Sequence, residues 1–138
     1  MSLTRERTGW RDERISERHR KWGIGCTATD FDFLMLEYEH GNPSAIIEYK
    51  HEKAPKQYSS NAQYQALIKL SNSAKIPAIA CRYSDDFSKY KIIPLNEYAK
   101  KFIPERIEVD EISWVTLLYK IRGRDVTPEF LESMKIEI

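Results

Sequence analysis

Residues 29–52 read TDFDFLMLEYEHGNPSAIIEYKHE and contain two mostly apolar runs, Phe31–Tyr38 and Ala45–Tyr49. The residues at 40–43, His-Gly-Asn-Pro, separate the runs, and glycine, asparagine and proline supply the backbone angles of a turn. The pattern predicts a β-hairpin that reverses near Gly41. Because the apolar runs are nearly continuous, we expect strands that are buried on both faces.

Charged side chains occur at the end of this hairpin that lies away from the turn. Asp30 and Asp32 begin the first strand, and Glu48 and Lys50 end the second. Side chains alternate between the faces of a strand, so the members of each pair share a face. Antiparallel pairing about the turn then predicts that Asp32 lies opposite Lys50 and that Leu34 lies opposite Glu48. Two carboxylates and an ammonium group are expected to converge on one patch.

Such a patch has a specific chemical use. Mg²⁺ is usually held by one or two carboxylates together with waters and substrate phosphates. A metal held in this way lowers the pKa of a bound water and neutralises charge that develops on a phosphate. The sequence therefore predicts a site for Mg²⁺ (or Mn²⁺) at the open end of the hairpin, with Lys50 placed to orient the attacking water.

An acid, a turn and then Glu-x-Lys at the end of a strand resembles the PD-(D/E)XK nuclease superfamily, which has the restriction-endonuclease-like fold. Asp32 (or Asp30), Glu48 and Lys50 carry the resemblance, which extends more loosely over residues 13–83. It implies an α/β fold with a mixed sheet, built on an αβββαβ core with an extra C-terminal strand and helices. It also implies a metal-dependent nuclease, a hydrolase that cleaves phosphodiester bonds of DNA.

The resemblance assigns roles to particular residues. Asp32 and Glu48 would bind Mg²⁺ or Mn²⁺, with the main-chain carbonyl of Tyr49 as an extra ligand, and Lys50 would orient the water. Asp30 is the alternative to Asp32 as the metal ligand. The expected register favours Asp32, but a turn placed one residue away would not decide between the two.

A helix is predicted over residues 10–22, ended by the glycines at 23 and 25. Its expected inward face consists of three residues at helical spacing, Ile15, His19 and Trp22. Family members often add an acid from such a helix to the metal site, and Glu17 or Glu13 would supply it here. Glu17 is preferred because Glu13 lies nearer the helix N-terminus, where acids favour the helix dipole. His19 is either a hydrogen-bonded structural residue or a phosphate contact.

The elements around the hairpin also have candidates. The family's first strand would be Ile24–Ala28, unless Thr27–Tyr38 bends to serve as two strands. Lys53 and Lys56, in the polar loop after Lys50, are candidate DNA contacts. The capping run Ser-Ser-Asn at 59–61 predicts that a helix follows. We expect its buried face to carry four apolar residues and one glutamine. These are Ala62, Ala66, Leu67, Leu70 and Gln63.

Gln63 is either a site residue, as family members often carry a glutamine on this helix, or a core glutamine bonded to backbone. Residues 76–83 predict a strand. Because one helix separates it from the hairpin, we expect a right-handed crossover that makes it parallel to the second hairpin strand. The rest of the chain predicts a strand at 90–95, a short helix at 96–101, and helices that contain Ile112–Tyr119 and start at Thr127-Pro-Glu.

Length and composition predict a single domain over residues 1–138. The chain is 41% hydrophobic and 31% charged, without the long apolar run of a membrane helix, so a cytoplasmic protein is expected. The two cysteines, Cys26 and Cys81, fit no metal-binding spacing. Residues 25–49 contain five acidic and no basic residues, whereas residues 50–101 contain ten basic and four acidic residues. This distribution favours a metal site within a phosphate-binding surface, with DNA or RNA as partner.

The sequence has two alternative interpretations. One is a catalytically inactive nucleic-acid-binding or structural protein on the same fold. The other is a small-molecule enzyme or protein-binding domain, for which no phosphate-binding glycine loop or nucleophile motif provides support. The acidic, aromatic C-terminal part is a candidate homodimer surface, and the size suits a DNA-processing protein of a phage or mobile element.

Overall fold

A computed structural model of the chain describes residues 13–28, 33–56 and 61–136. Of these, residues 13–28 belong to one compact unit and the remainder to a second. The expectation of a single domain stays a prediction.

The N-terminal unit contains helix α1 (Arg14–Lys21) and a 3-10 helix at Ile24–Cys26. The strand predicted for residues 24–28 is therefore wrong. Gly23 has a φ of 88°, which turns the chain sharply after α1, and the Thr27 hydroxyl donates to the Ile24 carbonyl at 2.7 Å, which closes the short helix. The expected inward face of α1 is also wrong, because Ile15 and Trp22 are exposed.

The described part of the second unit has five strands in one mixed sheet, in the order β1-β2-β3-β4-β5. Strand β2 pairs antiparallel with β1 and parallel with β3. Strand β4 pairs antiparallel with β3 on one side and with β5 on the other. The strand bounds are β1 Phe33–Glu37, β2 Asn42–His51, β3 Ala78–Tyr83, β4 Tyr90–Pro94 and β5 Ile107–Val109. The predicted mixed α/β class is confirmed.

The hairpin of β1 and β2 forms, but its predicted register is wrong by two residues. Leu34 pairs with Ile46 and not with Glu48. The difference arises because residues 42 and 43, assigned to the turn from their Asn-Pro sequence, belong to β2, and because the register shifts between Met35 and Leu36. Gly41, with a φ of 71°, donates its N–H to the Glu37 carbonyl at 2.8 Å and closes the turn.

Strand β1 is an edge strand, so the expectation of strands buried on both faces holds for β2 but not for β1. Phe33, Leu34 and Leu36 are all exposed, whereas Ala45–Glu48 are buried. Burial differs because both faces of β2 are covered, with Ile46 in one hydrophobic cluster and Ile47 in another.

Helices cover the sheet and connect its strands. Asn61 caps α2 by accepting from the Gln63 N–H, and Asp110 caps α4 by accepting from the Ser113 N–H. The helix bounds are α2 Ala62–Ala74, α3 Glu97–Lys100, α4 Glu111–Ile121 and α5 Pro128–Ile136. None of the described helices is both long enough and apolar enough to cross a membrane.

Two hydrophobic clusters lie on opposite faces of the sheet. On what we call the α4 face, Trp114 packs with Ile47, Ile79 and Ile92. On the α2 face, the cluster consists of Ile46, Leu67, Ile76 and Ala78. Alternation along β2 assigns Ile46, Glu48 and Lys50 to the α2 face and Ile47, Tyr49 and His51 to the α4 face.

The buried face of α2 differs from the predicted one. Tyr64, Leu67 and Ser71 are buried, whereas Ala62, Ala66 and Leu70 are exposed. The buried residues follow i, i+3 and i+7 spacing, so the helix has the predicted period, but it is rotated about its axis relative to the predicted buried face. Small alanines gave little information about which side of the helix faces the sheet.

Candidate functional site

Strand β2 places two opposite charges side by side at the C-terminal end of its apolar run. Ala45–Ile47 are fully buried, and Glu48 and Lys50 follow on the α2 face. Glu48 Oε1 lies 3.4 Å from Lys50 Nζ. The Glu48 side chain is 3% exposed and that of Lys50 is 27% exposed, so the carboxylate is enclosed and the ammonium group reaches the surface.

Burial of this carboxylate is costly. Removing a carboxylate from water costs several kcal/mol even after relaxation, and an attractive partner offsets only part of this. Replacing such a pair with apolar residues is often neutral or stabilising, so the pair is weak evidence for stability. The pair is therefore considered as a candidate functional site.

Three basic residues lie in register across neighbouring strands, beginning with Lys50. Lys50 of β2 pairs with Arg82 of β3, which pairs in turn with Lys91 of β4. Paired residues project from the same face of a sheet and neighbouring strands are about 4.8 Å apart, so the three form a line across the α2 face. We call Lys50, Arg82 and Lys91 the basic row. Glu108 of β5 pairs with Lys91 and ends it.

Arg82 also holds the loop that follows β2. Its Nη1 donates to the carbonyls of His51, Glu52 and Ala54 at 3.1, 3.3 and 2.7 Å. His51 Nε2 lies 3.0 Å from Asp85 Oδ1, which ties the same loop to the end of β3. The C-terminal ends of the parallel strands are thereby fixed next to the Glu48–Lys50 pair.

The lysines predicted to contact DNA follow directly from this loop. Lys53 and Lys56 are both exposed, and the Lys53 N–H donates to His51 Nδ1 at 3.1 Å. Gln63 lies in the first turn of α2 and is half-buried. Because a crossover helix runs antiparallel to the strands it connects, this turn lies toward the end of β2 that carries Lys50.

The Tyr49 side chain projects from the opposite face to Glu48 and Lys50. Its hydroxyl accepts a hydrogen bond from the Trp114 indole N–H at 3.1 Å. Burial raises the pKa of Tyr49 to about 12, and the bond from Trp114 opposes the shift. The side chain thus belongs to the core of the α4 face, and the predicted role of Tyr49 concerns its main-chain carbonyl alone.

The remaining predicted residues fall in two groups. Asp30 and Asp32 fall outside the residues that the structure describes. Glu13 and Glu17 belong to the N-terminal unit, where Glu17 is exposed in the first turn of α1. His19 Nδ1 lies 3.0 Å from the Cys26 carbonyl oxygen, which is the structural role weighed for this residue.

A carboxylate of Glu48 and the carbonyl of Tyr49 are oxygen donors of the kind that Mg²⁺ prefers. Within residues 13–28, 33–56 and 61–136, no three His, Cys, Asp or Glu side chains are grouped to hold a metal ion. The donor chemistry of Glu48 fits the expected metal, and the second acid predicted from the sequence, Asp32 or Asp30, lies outside the described residues.

Arg82 and Lys91 were missed from the sequence. Arg82 ends the apolar run of β3 just as Lys50 ends that of β2, and this similarity was an available signal. Lys91 carried no such signal, because its position in the row depends on the register between β3 and β4.

We find no match to this chain among protein-family models, curated proteins or solved structures.

Proposed function

We propose that this protein is a metal-dependent nuclease that hydrolyses phosphodiester bonds of DNA, with Glu48 and Lys50 at its centre. The observation that carries the proposal is the enclosed Glu48 carboxylate 3.4 Å from the partly exposed Lys50 ammonium group. The resemblance of the hairpin to PD-(D/E)XK nucleases supports the same assignment. Mixed strand pairing, with β1 antiparallel and β3 parallel to β2, is compatible with the later part of the αβββαβ core.

In this proposal the chain's own residues perform distinct tasks. Glu48 and Asp32 (or Asp30) hold Mg²⁺ or Mn²⁺, with the Tyr49 carbonyl as an extra ligand. The metal, when bound, supplies charge neutralisation and an acidified water. Lys50 donates hydrogen bonds to the attacking water or to a phosphate oxygen. Glu17 and Gln63 remain predicted contributors from sequence.

The basic row and the exposed lysines that follow β2 supply the partner surface. Three cations on adjacent strands offer several contacts to a phosphate backbone, and backbone contacts dominate nucleic-acid affinity. DNA is the proposed partner, and RNA is the alternative with the same backbone charge.

Cleavage assays test the proposal. We expect the protein to cut plasmid or single-stranded DNA with Mg²⁺ and not with EDTA. Lys50→Ala and Glu48→Gln should each lower the rate by about 10²–10³-fold, since each removes one group that stabilises developing charge. Circular dichroism on each variant establishes that the fold survives.

A matched control is available in α3. Lys100 and Glu97 form a lysine–glutamate pair at 3.3 Å, but both side chains are well exposed. Lys100→Ala and Glu97→Gln should leave the cleavage rate unchanged. Equal loss in both sets of variants, or cleavage that is insensitive to EDTA, would reject the assignment.

A second function is favoured by one observation. The basic row provides cations for a phosphate backbone and needs no metal ion to do so. It suits a protein that binds nucleic acid without cutting it. Metal-independent DNA binding together with no cleavage under any metal would select this function over the nuclease.

A further inference from the structure

A cavity of about 520 Å³ lies on the α4 face of the sheet, between the strands and helix α4. Its walls are mostly apolar, with Met35, Ile47, Val115 and Leu118 among them. The volume lies within the usual range for small-molecule sites, which are concave and mainly hydrophobic with a few polar groups. The cavity is on the opposite face from Glu48 and Lys50, so it has no part in the proposed nuclease site.

Aromatic rings form much of this wall. Phe33 and Phe87 are 57% and 53% exposed although both line the cavity. Phe33 meets Tyr49 edge-on with ring centroids 5.2 Å apart, and Phe87 stacks on Tyr83 with centroids 5.4 Å apart and planes 8° from parallel. The rings present both edges and faces to the open volume.

The Phe87 ring is held in place by an unusual backbone. Phe87 has a φ of 59°, a left-handed conformation that bulky residues rarely adopt. The flanking residues fix it: Asp86 Oδ1 accepts from the Ser84 and Ser88 hydroxyls at 2.9 and 2.7 Å, and Ser84 Oγ accepts from the Lys89 N–H at 2.9 Å. These bonds lower the pKa of Asp86 to about 2, so the carboxylate accepts them throughout the neutral range. The turn therefore holds one aromatic wall of the cavity in a defined position.

Of the described residues that line the cavity, Glu111 alone carries a charge. Its Oε2 accepts a hydrogen bond from the Tyr90 hydroxyl at 3.1 Å, which fixes the carboxylate against the aromatic wall. A carboxylate repels phosphate and carboxylate ligands and attracts a cation. Aromatic faces add to that preference, because their quadrupoles attract ammonium groups within about 6 Å of the ring centroid.

We propose that this cavity binds a small quaternary ammonium ligand, with the cationic head beside the carboxylate of Glu111 and the aromatic wall around its methyl groups. Apolar walls accept the methyl groups of such a cation, and its charge is matched by Glu111. A nucleotide is disfavoured at this position, because no cation among the described lining residues would hold its phosphate.

Choline and its neutral isostere, 3,3-dimethylbutan-1-ol, test the proposal on the intact chain. Titration followed by backbone amide NMR should show saturable shifts around the cavity with choline. The neutral alcohol should bind at least about fivefold more weakly, as expected for loss of roughly 1 kcal/mol of cation–aromatic and charge attraction. Because the comparison uses one protein and two ligands of the same shape, it does not depend on how any variant folds.

Variants locate the site. Glu111→Gln and Phe87→Ala should each weaken choline binding by about fivefold or more. Glu129 and Phe130 supply matched controls, since Glu129 lies in the first turn of α5 and Phe130 is an exposed ring outside the cavity. Glu129→Gln and Phe130→Ala should leave the affinity unchanged.

Three results would overturn the proposal. They are equal binding of the alcohol and choline, shifts confined to residues away from the cavity, and binding of a trimethyl-lysine peptide without binding of free choline. The last would assign the cavity to a protein partner and not to a small ligand. None of these results bears on DNA cleavage, so the two proposals fail separately.

Discussion

Buried polar side chains are the informative residues of this molecule, and they are accommodated in two ways. Glu48 is enclosed beside a lysine that reaches solvent, an arrangement that adds little to stability. Asn96 is buried among neutral partners: its Oδ1 accepts from the N–H groups of Ala78 and Ala99, and its Nδ2 donates to the Ile76 carbonyl. The arrangement at Glu48 suits the proposed metal site, whereas the hydrogen bonds of Asn96 join α3 to β3 and to the residue Ile76 before it.

Asn96→Ala should lower the free energy of unfolding by about 2–4 kcal/mol, because it leaves buried backbone groups without partners. Urea denaturation measures the change. Asn61→Ala is the control, since Asn61 is an exposed cap with one bond, to the Gln63 N–H at 2.8 Å, and should cost about 1 kcal/mol. Equal effects of the two substitutions would show that burial of Asn96 does not matter.

The buried thiol of Cys81 predicts a pH dependence. Burial raises its pKa from 9.0 to about 12. Above pH 9 the unfolded chain loses this proton while the folded chain retains it, so the stability should fall as pH rises from about 9 to 12. Cys81→Ala should make the free energy of unfolding fall less steeply over this range, as measured by urea denaturation at several pH values. Parallel pH profiles for the two proteins would contradict the burial of this thiol.

At the scale of elements, local sequence predicted most of the structure. Apolar runs and turn residues placed β2, β3 and β4, and capping residues placed α2, α4 and α5. The misses have physical causes. Strand β5 is only three residues long and depends on pairing with β4, which no local pattern reveals. The 3-10 helix at 24–26 replaced a predicted strand because Gly23 turns the chain.

Helix α2 ends on a residue in a strained conformation, which gives a prediction about a whole element. Lys75 has a φ of 60° at the C-cap, a left-handed position that favours glycine. Lys75→Gly should raise the free energy of unfolding by about 0.5–1 kcal/mol, because glycine adopts this conformation without a Cβ clash.

Lys69→Gly tests the opposite case on the same helix. Lys69 is exposed within the body of α2, where glycine should cost about 1 kcal/mol. Thermal unfolding of both variants measures whether each substitution raises or lowers the stability. Destabilisation by Lys75→Gly would mean that the lysine side chain, and not its backbone angle, matters at this position.

At the scale of the whole molecule, the candidate site combines local and non-local information. Glu48 and Lys50 are two residues apart on one strand, so alternation along that strand sufficed to predict the pair. The basic row was not predictable, because it requires the registers of three strands at once. The prediction that Leu34 lies opposite Glu48 was wrong for the same reason. A bulge in β1 and two extra residues in β2 shift the pairing, and neither is evident from the local sequence.

The basic row predicts how binding of a DNA duplex depends on salt. Lys91→Ala should weaken binding and reduce the slope of log K against log salt by about 1, since one phosphate contact is lost. Lys100→Ala, an exposed lysine on α3, should leave the slope unchanged. Fluorescence anisotropy across a salt series measures both, and identical slopes would exclude the row from the DNA interface.

We propose that Glu48 holds a catalytic metal ion beside Lys50, and crystals soaked in Mn²⁺ and measured at an anomalous wavelength test this assignment. We expect one strong peak in direct contact with a Glu48 carboxylate oxygen, about 2 Å away, and its loss in Glu48→Gln. A Mn²⁺ peak bound elsewhere, or one that persists in Glu48→Gln, would show that Glu48 is not a metal ligand.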